Sequence, residues 1–116
     1  MITIYGIKNC DTMKKAFKWL DEHAITYQFH NYKTDGLSRK QLQSFCNLIG
    51  WQTILNQKST TWRKLDEAIK TRIINEETAQ ELILQNLSII KRPIIIMGNK
   101  ALAGFSADLY QQFFEN

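Results

Sequence analysis

The period of the apolar pattern changes within the first twenty residues, and this change constrains the fold more than any other feature of the chain. The segment Ile2–Tyr5 alternates apolar and polar residues, which is typical of a strand. From Met13 onward the apolar or small residues recur at the spacing of one helical face. We therefore predict a strand, a turn over 6–9, and a helix of about 12 residues that begins at Cys10 or Asp11 and ends near residue 23.

Both ends of the chain contribute further strands. Ile25, Tyr27 and Phe29 alternate with polar residues, so a second strand completes a β-α-β unit. After Pro93, the run 94–97, a Gly-Asn turn and the segment 100–102 predict a β-hairpin, and Ser106 is a helix cap for the last amphipathic segment. These elements predict an α/β fold of thioredoxin-like layout, with a four-stranded mixed sheet flanked by helices.

The middle of the chain carries helical patterns. Ser38 followed by Gln41 is a capping-box start for a helix that ends at Gly50. Further helices are predicted over about 61–70 and 75–86. We expect one domain over 1–116, in which 1–37 and 88–116 form the thioredoxin-like part and 38–87 form a helical insertion between the β-α-β and β-β-α units.

Composition narrows the class of protein. With two cysteines the chain has too few for a disulfide framework, so a reducing cytoplasm is the expected compartment. Its apolar runs fall far short of the roughly 20 residues that cross a bilayer, and we expect neither export nor a membrane anchor. The net charge of +4 favours anionic partners. No dense basic stripe accompanies the tryptophans, which we interpret as packing anchors, so direct nucleic-acid binding is not expected.

Cys10 is the leading candidate for chemistry. At the start of a helix its sulfur lies near unpaired backbone N–H groups and the positive end of the helix dipole, and both favour a thiolate. The backbone N–H groups of residues 11–13, with Thr12, are expected to hold that thiolate. The alternative is a small loop residue without chemistry.

A local disulfide partner for Cys10 is missing. Met13 stands where a C-x-x-C pair has its second thiol. A redox cycle must therefore pass through a mixed disulfide that is resolved by an outside thiol such as glutathione, or by Cys46. Cys46 lies in phase with the apolar face of its helix, so we predict that it packs in the core. His23 and His30 have no ligand at metal-binding spacing, and we predict surface positions and no metal site.

Five segments, in order along nearly the whole chain, carry a family resemblance: Gly6–Thr12, Gly50-Trp51, Leu55-Asn56, Thr60–Arg63 and Lys91–Ile94. They resemble the arsenate reductase (ArsC) and Spx family. The Cys-Asp-Thr loop and the Thr-Thr-Trp-Arg segment are most similar to its small YffB-like branch. The resemblance implies a thioredoxin-like fold with a helical insertion, a nucleophile at Cys10, and a cis proline at Pro93 beside that cysteine. From the residues alone, a trans proline opening an edge strand is the alternative.

The resemblance also limits the reaction. Arsenate-reducing members use three arginines around the oxyanion, and only Arg92 matches one of them. Asn56 and Phe105 stand at the other two positions. Most of the charge compensation for a doubly charged oxyanion is then lost, unless Arg63 substitutes for one arginine. An exposed surface arginine is the alternative for Arg63.

We therefore predict a glutathione-dependent thiol–disulfide oxidoreductase with no bound cofactor and with glutathione as co-substrate. Its other substrate is a small thiol, disulfide or oxyanion. Cys10 and Arg92 are the predicted catalytic residues. The predicted substrate-binding residues are Asn9, Asp11, Thr12, Met13, Arg63 and Pro93. Two alternatives stay open, an Spx-like module that binds RNA polymerase and an arsenate reductase.

Overall fold

A four-stranded mixed sheet forms the centre of the first of two compact units. The structure is a computed structural model that describes residues 1–115. Its contacts divide the chain into a sheet unit (1–36 and 92–115) and a helical unit (37–91). The predicted boundaries of the insertion, 38 and 87, differ from this division by one and four residues.

The sheet has the strand order β2-β1-β3-β4. Its strands are β1 (Ile2–Gly6), β2 (Gln28–Asn31), β3 (Ile94–Met97) and β4 (Lys100–Ala103). β1 is parallel to β2 and antiparallel to β3, and β3 is antiparallel to β4. The predicted mixed sheet of a thioredoxin-like fold is confirmed, and the hairpin turns at Gly98, whose φ of 63° favours glycine.

Two long helices pack on the apolar face of this sheet. They are α1 (Asp11–Glu22) and α8 (Ala107–Phe114), and a short helix α2 (Tyr32–Asp35) follows β2. The core between sheet and helices is built by the fully or nearly fully buried residues Ile4, Met13, Ala16, Trp19, Leu20, Ile95 and Tyr110. The spacing of the residues from α1 in this core is the helical period that the sequence shows.

The helical unit contains five helices and one 3₁₀ turn. They are α3 (Arg39–Leu48), α4 (Trp51–Ile54), α5 (Thr60–Arg63), α6 (Glu67–Lys70), α7 (Glu76–Gln85) and the turn Leu87–Ile89. The predicted capping box of Ser38 and Gln41 is present at the start of α3. An isolated antiparallel bridge joins Leu55 to Ile90.

The single helix predicted over 61–70 is wrong. Two four-residue helices, α5 and α6, occupy this segment, and Asp66 between them has extended backbone angles (φ −61°, ψ 145°). Ser59 caps the first of these helices by accepting a hydrogen bond from Trp62 N–H. The apolar period alone could not reveal this interruption, because the spacing of Trp62, Leu65 and Ile69 continues through it.

Two further expectations concern membrane-spanning helices and metal sites. Within residues 1–115, none of the helices is both long enough and apolar enough to traverse a bilayer. In the same range, no cluster of three or more histidine, cysteine or acidic side chains could hold a metal ion.

Candidate functional site around Cys10

The loop after β1 brings Cys10 to the N-cap of α1. Its backbone is extended (φ −144°, ψ 131°), and its carbonyl accepts the first helical hydrogen bond from Lys14 N–H at 3.0 Å. The side chain of Cys10 is half-buried and packs at the edge of the core of the sheet unit. An N-cap residue lies next to backbone N–H groups that have no partner within the helix, so the sulfur lies where a negative charge is favoured.

Met13 anchors the first turn of α1 to β1. Its side chain has no exposed surface, and a Cβ added at Gly6 would overlap its Sδ and Cε atoms. Gly6 therefore leaves the space that the end of the buried Met13 side chain occupies, and a larger residue at position 6 would force Met13 to repack. This contact joins the first turn of α1, which carries the backbone N–H groups near Cys10, to β1.

The pKa of the Cys10 thiol is lowered from its ordinary value. Partial burial raises it, but the backbone N–H groups of Met13 and Thr12 and the charge and hydrogen bond of Arg92 outweigh that effect. The Cys10 side chain makes no cap hydrogen bond at the start of α1. The nearby backbone N–H groups and the guanidinium favour the charged sulfur, so the fraction of thiolate is higher than for an ordinary cysteine.

Arg92 reaches Cys10 from the start of β3. The Arg92-Pro93 peptide bond is cis, as the family resemblance implies. Pro93 is buried, and its carbonyl accepts a hydrogen bond from Gly104 N–H at 2.7 Å. Arg92 itself is half-buried. A guanidinium beside a partly exposed sulfur supplies a charged donor that can turn to a second anionic group.

The remaining predicted site residues differ in their exposure and in which of their groups can contact a ligand. Asn9 and Asp11 are exposed beside Cys10 in the sequence, and Thr12 is half-buried. The side chain of Met13 lies in the core, so only its backbone N–H serves the site. Arg63 is exposed at the end of α5 in the helical unit, and its contact with a ligand stays a prediction.

Phe105 and Asn56, the two positions at which the family resemblance implies arginines in arsenate-reducing members, make packing and local backbone contacts here. Phe105 is half-buried against the core of the sheet unit, with its ring edge-to-face with Tyr110 at 4.8 Å between centroids. Asn56 lies in the helical unit, where its side-chain oxygen accepts a hydrogen bond from Lys58 N–H at 3.1 Å.

Sequence reasoning missed Tyr32. It follows β2, begins α2 and is 2% exposed. Asn31 caps this helix by accepting a hydrogen bond from Lys33 N–H at 2.9 Å. An asparagine before an aromatic residue, with Asp35 four residues on, is the signal that could have indicated a short capped helix.

Cys46 has the opposite environment to Cys10. It is 5% exposed on α3, which confirms the prediction that it packs in the core. Burial raises the pKa of its thiol, a hydrogen bond from Gln80 at 3.6 Å lowers it, and the charge of Glu76 raises it, so the net shift is upward. Cys46 is therefore an uncharged, packed thiol in the helical unit.

A partly buried thiol with a lowered pKa at the N-cap of the helix after β1, in a mixed sheet of this order, is the arrangement of a thiol-oxidoreductase-like fold. The model of the ArsC family matches residues 5–113, and the chain belongs to this family. It is 50% identical to a solved structure of a protein called YFFB, with a TM-score of 0.91 over 97% of each chain.

Two protein sequences extend the comparison. The chain is 47% identical over 114 residues to an uncharacterized protein of Haemophilus influenzae, covering 98% of this chain and 99% of the relative. It is 32% identical over 115 residues to the global transcriptional regulator Spx of Streptococcus pneumoniae, covering 97% of this chain and 85% of that regulator. The relatives of this chain thus include a transcriptional regulator.

Proposed function

We propose that this protein is a glutathione-dependent thiol–disulfide oxidoreductase in which Cys10 is the single nucleophile. The observation that carries the proposal is the environment of the sulfur. Two backbone N–H groups and the Arg92 guanidinium together lower the pKa of Cys10 despite its partial burial. A lowered pKa increases the fraction of thiolate at neutral pH, and the thiolate is the form that attacks disulfides.

The proposed reaction has two displacement steps. The Cys10 thiolate attacks the glutathione sulfur of a glutathionylated substrate, the S–S bond breaks, and the substrate thiolate leaves with the electron pair of that bond. A second glutathione thiolate then attacks the glutathione sulfur of the mixed disulfide. This step releases the Cys10 thiolate and forms glutathione disulfide, so the protein returns to its starting state.

Arg92 has two roles in this scheme. Its guanidinium stabilises the thiolate before attack and after release. Glutathione carries two carboxylates, and the planar fork of an arginine suits a carboxylate. We propose that Arg92 binds one of these carboxylates when Cys10 carries the glutathione adduct.

Arsenate reduction is a weaker candidate for this chain. A doubly charged oxyanion needs several positive groups, and the positions of two family arginines hold Asn56 and Phe105. The ring of Phe105 packs against Tyr110, so this position contributes apolar surface and no charge. Release of arsenite from arsenate in the presence of glutathione and glutaredoxin would reinstate this activity.

A regulatory function is the second candidate, and the 32% identity to Spx over 97% of this chain favours it. In such a protein the Cys10 surface would contact RNA polymerase without a redox cycle. Capture of a polymerase subunit by both wild type and Cys10→Ala, at equal levels, would support this function over catalysis.

The decisive experiment compares two cysteine variants. We expect Cys10→Ser to lower glutathione-dependent reduction of a small mixed disulfide by on the order of a hundredfold or more, because the nucleophile is lost. Cys46→Ala is the matched control and should keep activity close to wild type. Full activity of Cys10→Ser would exclude the proposed function.

A further inference from the structure

The hydroxyl of Tyr32 is buried without a hydrogen-bond partner among residues 1–115. Every other buried side-chain nitrogen or oxygen atom of these residues has a partner. The whole residue is 2% exposed. More than about nine in ten buried polar groups in native proteins are paired, because an unpaired one costs roughly 1–3 kcal/mol. A hydroxyl that persists without a partner in the free protein therefore requires an explanation.

Tyr32 and Arg92 flank the end of β1, the strand that leads to Cys10. Gly6 pairs with Asn31 on one side, and Tyr32 follows Asn31 directly. Tyr5 pairs with Ile94 on the other side, two residues after Arg92.

Aromatic contacts fix the Tyr32 ring in this place. The ring lies 6.4 Å from that of Tyr5, nearly parallel to it, and 6.3 Å from the His30 ring. His30 in turn is held by a hydrogen bond between its Nε2 and the Gly36 carbonyl at 2.6 Å. The Tyr32 side chain is thus buried in a cluster with the Tyr5 and His30 rings.

The charge of Arg92 acts on both Cys10 and Tyr32. It lowers the pKa of Cys10, and it partly opposes the burial and the neighbouring Tyr5 that raise the pKa of Tyr32. The guanidinium therefore lies within electrostatic reach of both groups. Because the net shift at Tyr32 is upward, its hydroxyl stays uncharged near neutral pH and keeps lone pairs that can accept a hydrogen bond.

We propose that Tyr32 is a positioning residue whose hydroxyl accepts a hydrogen bond from the Arg92 guanidinium when the Cys10 sulfur is part of a mixed disulfide and so carries no charge. The thiolate holds Arg92 in the free protein, and Tyr32 holds it once the sulfur has lost its charge. The donors of Arg92 that do not face Tyr32 then remain available for a carboxylate of the bound molecule. The inference rests on the proposed function in one respect, the formation of an adduct on Cys10.

The test caps Cys10 with a methylthio group from methyl methanethiosulfonate, which requires no glutathione. Both proteins carry Cys46→Ala so that Cys10 alone is capped. We expect uncapped Tyr32→Phe to melt no lower than its parent, because the substitution removes a hydroxyl that has no partner. On capping, the Tm of Tyr32→Phe should fall further than that of its parent by about 3–6 °C, because the variant lacks the hydroxyl that accepts a hydrogen bond from Arg92 in the capped parent.

Two control variants test whether the larger fall in Tm on capping depends on the pair formed by Tyr32 and Arg92. Tyr110→Phe removes a buried hydroxyl that donates to the Gly104 carbonyl at 2.9 Å, so it should lower the Tm with and without the cap by the same amount. In an Arg92→Gln background, Tyr32→Phe should no longer change the response to capping. Equal capping shifts in Tyr32→Phe and its parent would overturn the inference.

A second measurement separates this inference from the proposed function. In buffers of defined glutathione and glutathione disulfide, intact-mass analysis gives the equilibrium constant for the Cys10 mixed disulfide. We expect Tyr32→Phe to lower it by about tenfold, the effect of one hydrogen bond to a charged group. If the capping shifts differ but the parent forms no glutathione adduct, the positioning role stands and the proposed function fails. If the parent forms the adduct and Tyr32→Phe forms it equally, the positioning role fails and the function stands.

Discussion

The two cysteines of this chain have the same side chain and opposite chemistry. Cys10 is half-buried at the N-cap of α1, and its pKa is lowered, whereas Cys46 is 5% exposed on the apolar face of α3, and its pKa is raised. Both lose some hydration. The difference is that Cys10 faces backbone N–H groups and a guanidinium, while Cys46 faces packed side chains and one amide. Helix termini and charges, and not the residue type, therefore decide which thiol can react.

The largest expected consequence is a difference in alkylation rate. At neutral pH, iodoacetamide should modify Cys10 in the native protein, and Cys46 should react slower by on the order of a thousandfold, because it must wait for an opening of the helical unit. Intact-mass and peptide analysis over time gives both rates. In urea the two rates should become equal, and comparable rates in the native protein would contradict the comparison.

A smaller effect is expected from Arg92→Gln. This change removes the charge that stabilises the Cys10 thiolate, so the midpoint of its alkylation rate against pH should move upward. Thiol transfer with glutathione should fall by about tenfold, the effect of losing one charge-assisted hydrogen bond. Arg72→Gln, which removes an exposed arginine of the helical unit, is the matched control and should leave both readouts unchanged. An unchanged pH midpoint in Arg92→Gln would mean that the backbone N–H groups alone acidify Cys10.

The smallest expected effect is that the contributions of Cys10 and Cys46 to the free energy of unfolding change with pH in opposite directions. A thiol whose pKa is lower in the folded state contributes stability that is present above its unfolded pKa and is lost as the pH falls through its folded pKa. This is the case for Cys10. For Cys46, the folded pKa is higher, so stability is lost as the pH rises from the unfolded pKa towards the folded one. Solvent screening keeps the Cys10 contribution small, because its side chain is only partly buried.

Urea unfolding from pH 6 to pH 10 measures both slopes. The stability difference between wild type and Cys10→Ser should grow as the pH rises, and the difference between wild type and Cys46→Ala should shrink. Slopes of the same sign for the two variants would show that their environments do not differ as described.

The sequence predicts most of the sheet unit, because its patterns are strong and local. The exception is β2, which begins at Gln28, so Ile25 and Tyr27 of the predicted second strand lie before it. The alternation at Ile2–Tyr5, the turn at Gly98 and the period of α1 each agree with the strand order and core that form. The short helices are different. α2 and α4 contain four residues each, too few for a period to emerge, and α5 and α6 share one apolar period although the backbone is extended at Asp66 between them.

The site is predictable only in part. A cysteine before a helical period indicates an N-cap thiol, and Cys10 occupies that position. The proximity of Arg92 follows from the family resemblance and from the pairing of β1 with β3, not from any local pattern. No sequence feature indicates that the Tyr32 hydroxyl is buried without a partner, because such a group is defined by the atoms that surround it.

The presence of a buried methionine at position 13, where a C-x-x-C pair has its second thiol, has a kinetic consequence. Position 13 is filled by a side chain without exposed surface, so no thiol there can release a molecule bound to Cys10 by a unimolecular step. Release in the proposed reaction is then second order, and the lifetime of the adduct is inversely proportional to the concentration of free thiol around the protein. Halving that concentration doubles the lifetime, and the occupancy of Cys10 therefore follows the ratio of disulfide to free thiol in the surroundings.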